Sequence, residues 1–373
     1  MELRKPQALA RLGTTRALRH WHAVLIAKDL KHDPVAVSVL GEKIVLFRTP
    51  EGIGAVQDRC PHRGARLSAG TVKDGCIECP YHLWRFGRDG RGVSPANPGM
   101  RPLARAFDAA EHVGLLWVRA KGSEAALPTV DVEGLAYIGH ETTVIEAPFY
   151  LVVDNFTEIE HSPKNHALFA FDAEGIPSVQ IQTTVLEDSL HVVYTGPQRP
   201  VPWWASPLYK AGSKHIIDFK VRFDPIHWIY DLRWEDPKTG QPLPMHVRQH
   251  AFITPRDDRS TSVFLVFHSS LSMPAPVRRM ARFFFMRGAG VELALDKRIC
   301  ENVAGMEPSP TFERLQLGKF DRVLKHTRAL IAKVYDGPAA VESDVAGPVE
   351  SDGENASQAE SAGQFFDGSL DQG

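Results

Sequence analysis

Two short cysteine–histidine pairs constrain this chain more than any other feature of it. Within DRCPHRGARLSAGTVKDGCIECPYHLWRFGRDG (58–90), Cys60 and His62 form C-x-H and Cys79 and His82 form C-x-x-H, with sixteen residues between the pairs. Each pair sits on a tight loop with a Pro directly after its Cys. The short spacing brings two donors from each loop to one centre, and the intervening hairpin brings the loops together. Gly and Pro are dense over 61–102, which implies loops held by something other than an apolar core. A compact metal centre meets that need.

The rest of the composition narrows the setting. At 373 residues, 43% hydrophobic and 24% charged, the chain reads as about two globular domains. Four cysteines make no disulfide scaffold, so a reducing cytoplasm is expected and the thiols are free for metal. No apolar run approaches the ~20 residues of a membrane span, and no apolar leader opens the chain, so neither membrane nor secretion is expected. Residues 338–373 hold eight acids and no Lys or Arg. Taking those eight from 45 leaves 37 acids against 43 bases over 1–337, a formal +6. The tail is rich in Ala, Ser and Gly and reads as disordered. The one basic cluster, RKPQALARLGTTRALRH (4–20), reads as a packed lead-in helix, so no nucleic-acid partner is expected.

Three segments follow: 1–125, small and all-β with a lead-in helix; 126–337, helices over a sheet; and the tail, 338–373. AVSVLGEKIVLFRT alternates about Gly41 as a hairpin, and HVGLLWVRA is a buried strand with Gly at a turn. TTVIEA, SVQIQTTVLEDSLHVVYTG, HIIDFKVRF, WIYDLRW and SVFLVFHSS are spaced as neighbours in an antiparallel sheet, with EDPKTGQP (235–242) and PRDDRS (255–260) as turns. Helices are expected at 155–169, broken at Pro163, at 275–305 and at 316–337. The fold class is α+β.

Two thiolates and two imidazoles suit a tetrahedral structural zinc. They equally suit a cluster in which two Cys hold one iron and two His the second. CPHRG at 60–64 and CPYH at 79–82, followed by Trp84, resemble the Rieske signature of ring-hydroxylating oxygenase α subunits. The resemblance implies that Cys60, His62, Cys79 and His82 ligate a [2Fe–2S] cluster, with a potential of roughly −150 to +300 mV. Cys76 is then a non-ligand, read as a buried structural thiol. Leu83 departs from the family, which usually has Gly there.

A second constellation lies in DNFTEIEHSPKNH (154–166), where His161 and His166 stand five apart. Five residues turn an α-helix by about 140°, so a kink must bring the imidazoles together. The stretch resembles the mononuclear iron motif of the same family, N-x-x-D-x-x-H-x4-H. The resemblance implies Fe(II) held by His161, His166 and a distant carboxylate, with positions left open for O2. Asp296, read in an apolar stripe with Val291, Leu295 and Ile299, is the expected third ligand, with Glu292 its competitor. Glu158 replaces the family's bridging Asp, which links a cluster His of one subunit, here His82, to His161 of the next. Asn155 matches the family's Asn near the iron.

Length and the D-K-R-I helix look like the short, demethylase-like α subunits. The reading is a terminal oxygenase, a homotrimer by resemblance, fed by a ferredoxin and/or flavin reductase. It would hydroxylate, demethylate or N-oxygenate a small hydrophobic or aromatic substrate. The alternatives are a cis-dihydroxylating dioxygenase and, in other classes, a Rieske electron carrier or a zinc-stabilised binding protein. Phe169, Trp203, Trp204, Phe252 and Phe283–Phe285 are candidate pocket aromatics, although an apolar core supplies the same residues.

Overall fold

Short alternating runs cut by left-handed turns make residues 22–120 into three small antiparallel sheets. The computed structural model describes residues 14–166, 169–200, 212–223, 225–270, 275–306 and 316–335. The acidic tail, Trp203, Trp204 and most of the lead-in segment lie outside these. One sheet joins β1 (His22–Ile26), which follows the short helix α1 (Thr14–Ala17), to β10 (Leu115–Ala120) and β9 (Phe107–His112). A second joins β2 (Val35–Val39), β3 (Glu42–Thr49) and β4 (Gly52–Gln57). The third joins β5 (Thr71–Lys73), β6 (Cys76–Glu78), β7 (Arg85–Phe86) and β8 (Gly92–Val93), and the two Cys/His loops open from it. The hairpin expected about Gly41 forms, with Leu40 and Gly41 at φ +51° and +82° as a two-residue turn of this hand needs. HVGLLWVRA spans a second hairpin turn at Val113–Gly114.

Seven antiparallel strands build the larger sheet, in the order β11 (Ala136–Ile145), β17 (Thr261–Ser269), β16 (Pro242–Pro255), β15 (Ile226–Glu235), β14 (Lys214–Phe223), β13 (Ser189–Pro197) and β12 (Gln180–Val185). Both expected turns, 235–242 and 255–260, join neighbouring strands of it. Trp228, on β15, points to the helices on one face, where its Nε1 donates to Thr157 Oγ1 at 3.2 Å. Against the other face Trp21, Ala23, Leu115 and Trp117 of the small sheets pack on Phe252, Phe264 and Val266. The ring of Phe252 meets Trp117 edge-on at 4.8 Å, so Phe252 is a core residue of this seam. The structure is α+β, as expected.

The helices depart from the sequence reading at their ends. The stretch expected as 155–169 is two helices, α2 (Phe149–Thr157) and α3 (Ser162–Asn165), and the break falls at 158–161. Pro163 lies in the first turn of α3, where it lacks no needed N–H, and so it starts a helix instead of breaking one. The helix α4 (Ala275–Ala304) matches its expected span, and α5 (Arg322–Tyr335) begins six residues late. On α4 the buried face is Ala289, Glu292, Leu293, Asp296 and Cys300, the 3-and-4 spacing of one helical stripe. The stripe expected through Val291, Leu295 and Ile299 is thereby corrected: Val291 is 55% exposed and Ile299 39%. Phe283 and Phe284 are also exposed.

Candidate metal centres

The loop from β4 to β5 and the loop from β6 to β7 fold alike. Cys60 N donates to Ala65 O at 2.8 Å and Gly64 N returns to Cys60 O at 2.8 Å. In the second loop Cys79 N donates to Trp84 O at 2.8 Å and Leu83 N returns to Cys79 O at 3.1 Å. Gly64 and Leu83, each four residues past its Cys, are both left-handed, at φ +76° and +61°. This pseudo-symmetry puts Leu83 in the backbone conformation that Gly64 adopts without strain.

The loops bring both Cys/His pairs together. Cys60 and Cys79 are buried and their thiols are in contact. Burial pushes the Cys60 thiol up, against the backbone N–H groups of His62 and Arg63 that point at it. The rings of His62 and His82 meet edge-on at 4.5 Å. Trp84 stacks on His62 at 4.4 Å and Tyr81 on His82 at 3.8 Å. A pair of buried sulfurs with N–H donors aimed at them, beside two outward imidazoles, is a donor set that fits a [2Fe–2S] cluster. Cys76 sits on β6, half-buried where a buried thiol was expected, and desolvation raises it. Asp58 braces the first loop through Ser68 N and Oγ, both at 2.7 Å.

The second centre forms where α2 and α3 meet α4. His161 and His166 cap the two ends of the single turn α3, which is how residues five apart come to face one point. Nε2 of His166 lies 2.9 Å from Asp296 Oδ1, and Nε2 of His161 lies 3.4 Å from it. Donor atoms of all three lie within 4.8 Å of one another. Burial opposes charge on His161, yet hydrogen bonds to Asp296 and Glu158 outweigh it and push its pKa up to about 10. Burial also opposes charge on Asp296, but His166 and His161 hold its carboxyl down at about 2. A divalent cation held by the same atoms would take the place of the shared proton, so cation affinity here would rise as protons leave. Two imidazoles and one carboxylate on one side of an ion are the donor set of a non-haem iron with open positions.

Neighbouring groups hold these donors. Glu158, the C-cap of α2, accepts from His161 Nδ1 and from the N–H groups of Glu160 and His161, the last at 3.3 Å. Asn155, one turn earlier, is buried with no hydrogen-bond partner at Oδ1. Glu292, one turn before Asp296, is buried and its charge raises His166, but it is not one of the converging three.

Spacing alone did not reveal the residues that position α2 and α3. Arg328 on α5 binds Asp154 through Nε at 2.9 Å and through a second nitrogen. Tyr230 donates to Phe156 O, and Arg199 donates to Pro163 O at 3.0 Å. Each is a contact of more than 30 residues' separation, and no local pattern encodes it. Phe169 meets Phe285 at 5.7 Å and Trp234 at 6.2 Å, an aromatic wall that continues from Phe285 to Phe267 at 5.3 Å.

Residues 20–106 match the Rieske [2Fe-2S] domain, and residues 145–334 match the vanillate O-demethylase oxygenase C-terminal domain. The vanillate O-demethylase oxygenase subunit of Pseudomonas sp. (strain HR199 / DSM 7063) is 31% identical over 267 residues, 65% of this chain and 74% of the relative. Methylxanthine N1-demethylase of Pseudomonas putida is 28% identical, over 66% of this chain and 76% of the relative. A crystal structure of dicamba monooxygenase bound to 3,6-dichlorosalicylic acid superposes with a TM-score of 0.75 at 21% identity, covering 87% of this chain and 99% of that one, and shows a shared fold. The chain belongs to the Rieske oxygenase α subunits with a vanillate O-demethylase-type catalytic half, oxidoreductases that carry a [2Fe–2S] cluster and a mononuclear iron.

Proposed function

We propose that this terminal oxygenase hydroxylates, demethylates or N-oxygenates a small aromatic or hydrophobic molecule, drawing electrons from a ferredoxin and/or flavin reductase. In this reading Cys60, His62, Cys79 and His82 hold the cluster, and His161, His166 and Asp296 hold the iron. The cluster supplies single electrons, and the iron supplies O2 activation beside the substrate. Glu158 fixes the His161 tautomer by accepting a hydrogen bond from Nδ1–H, which leaves Nε2 for the metal. Asn155 offers its unpartnered Oδ1 to a donor in the site. The aromatic wall of Phe169, Phe285 and Trp234 keeps the neighbourhood apolar. We read the assembly as a cytoplasmic homotrimer with its domain seam near residue 125.

The observation that carries the reading is the approach of two histidine Nε2 atoms to one oxygen of Asp296, 130 residues from His166 in the chain. Demethylation is supported by two relatives that are, by name, an O-demethylase and an N1-demethylase. No helix among the described residues is long and apolar enough to cross a membrane.

The test is metal analysis with variants. Purified protein should hold iron and acid-labile sulfide at about three to two. Cys60→Ala or Cys79→Ala should lose the visible cluster spectrum and Cys76→Ala should keep it. Asp296→Ala should lose only the mononuclear iron. Iron kept in Asp296→Ala but lost in Glu292→Ala transfers the ligand role to Glu292. Oxygen uptake with methoxy-, N-methyl- and amino-substituted aromatics, read beside formaldehyde release, separates the reaction types.

A further inference from the structure

Three arginines crowd the loop that carries Cys60 and His62. Arg59, Arg63 and Arg66 are all exposed, and no carboxylate among the described residues pairs with any of them. The nearest acid in sequence, Asp58, is buried and already bound to Ser68. Arg105 reaches the same place from the other side, held by Glu42 at 2.7 Å. Arg59, Arg63 and Arg105 line a cleft of about 370 Å³ together with Gln57, Cys60 and His62, and no acidic residue lines it. Exposed guanidiniums that brace nothing in the fold are free to meet an outside anion.

We propose that this arginine rim is the docking surface for the acidic face of the protein that reduces the cluster, an iron–sulfur or flavin carrier ringed by carboxylates. The inference rests on the proposed function, because it names the partner of the same cluster. One electron leaves the reduced carrier and enters the oxidised cluster, and no bond forms or breaks. His62 is exposed on the same loop, so a carrier drawn to the rim arrives at a ligand edge of the cluster. Opposite charge raises the rate of encounter by tenfold to a thousandfold and makes it sensitive to salt. The chain's own tail, with eight acids in 338–373, is the rival occupant. The rim's position favours the carrier, since an occupying tail would block the entry edge.

The experiment uses the full-length holoprotein and an acidic plant-type [2Fe–2S] ferredoxin as probe. Ferredoxin affinity is measured by biolayer interferometry against salt, and cluster reduction by stopped flow. A parallel arm uses the methyl viologen radical cation, which also registers any change in potential caused by Arg63. In R59E/R63E, ferredoxin binding should weaken at least tenfold at low salt and its salt dependence should flatten. The viologen rate should hold or rise, and R59K/R63K should restore most of the binding. Unchanged ferredoxin binding overturns the proposal, and so does equal slowing in both arms. A changed oligomer mass in R59E/R63E assigns the rim to a subunit contact and overturns it too. So does a tenfold gain in ferredoxin affinity on truncation after Gly337, which makes the tail the occupant. A wild-type cluster that viologen cannot reduce refutes the electron-accepting function instead, while the binding arm still decides the rim.

Discussion

Leu83 holds a left-handed backbone at φ +61° with its side chain 53% exposed beside His82. A β-carbon in that region costs about 1–2 kcal/mol, and an exposed side chain recovers little of it by packing. Its counterpart in the first loop, Gly64, carries no such penalty. Leu83→Gly should therefore stabilise the holoprotein by about 1 kcal/mol, or about 2–4 °C in thermal unfolding. A fall in melting temperature would mean that the leucine is covered by something outside the chain, the next subunit being the first candidate. The cluster spectrum should be unchanged, because the ligands and their backbone hydrogen bonds are the same.

At the scale of elements, the second centre depends on how α2 stops. Asp154 is largely buried, and burial raises its carboxyl although Arg328 pulls it down. Removing the guanidinium strands a buried carboxylate, at a cost of about 3–5 kcal/mol. Arg328→Met should lower stability to urea by about that much, and Arg328→Met with Asp154→Asn by clearly less. Equal losses in the single and double variants would show that the arginine acts through other contacts. Such long-range ties mark what the sequence leaves out. The Cys/His loops, the paired histidines and the strand-and-turn pattern were legible, because each is written in local spacing, whereas Asp296, 130 residues from His166, was singled out by resemblance and by a helix stripe that proved to be the wrong one. The place of the helix break was not, since Pro163 reads as a breaker until its position in the first turn of α3 is known. Nor was the buried stripe of α4, where alternative apolar residues suggested the wrong face. The equivalence of Gly64 and Leu83 was present in the sequence as C-P-x-x-G against C-P-x-x-L.

For the whole molecule, the seam between the small sheets and the large one contains histidines that burial keeps neutral. His250 is fully buried with neither nitrogen partnered, and desolvation takes it down to about 3, helped by His227, His268 and Arg248 and opposed by Asp231. His227 falls to about 4 for the same first reason. Folded-state values below the ordinary 6.5 mean that the unfolded chain binds these protons first. Stability is thus complete above about pH 6.5 and is lost as the pH falls toward 4, at about 1.4 kcal/mol per unit for each group. His250→Phe should flatten the acid side of the melting-temperature profile; an unchanged profile would place the acid weakness elsewhere. Assembly raises the last question, which turns on Glu158. Its carboxylate already accepts from His161 Nδ1 and from two backbone N–H groups. A carboxylate has about four acceptor sites, so one remains. In the proposed homotrimer that site would take the imidazole of His82 from the next subunit. Glu158→Gln keeps the shape, removes the charge and puts a donor where one imidazole must donate. Both metals should stay bound and the trimer mass should hold, while single-turnover oxidation of the reduced cluster slows at least a hundredfold. Wild-type transfer in Glu158→Gln, or a fully active monomer, would refute the bridging role.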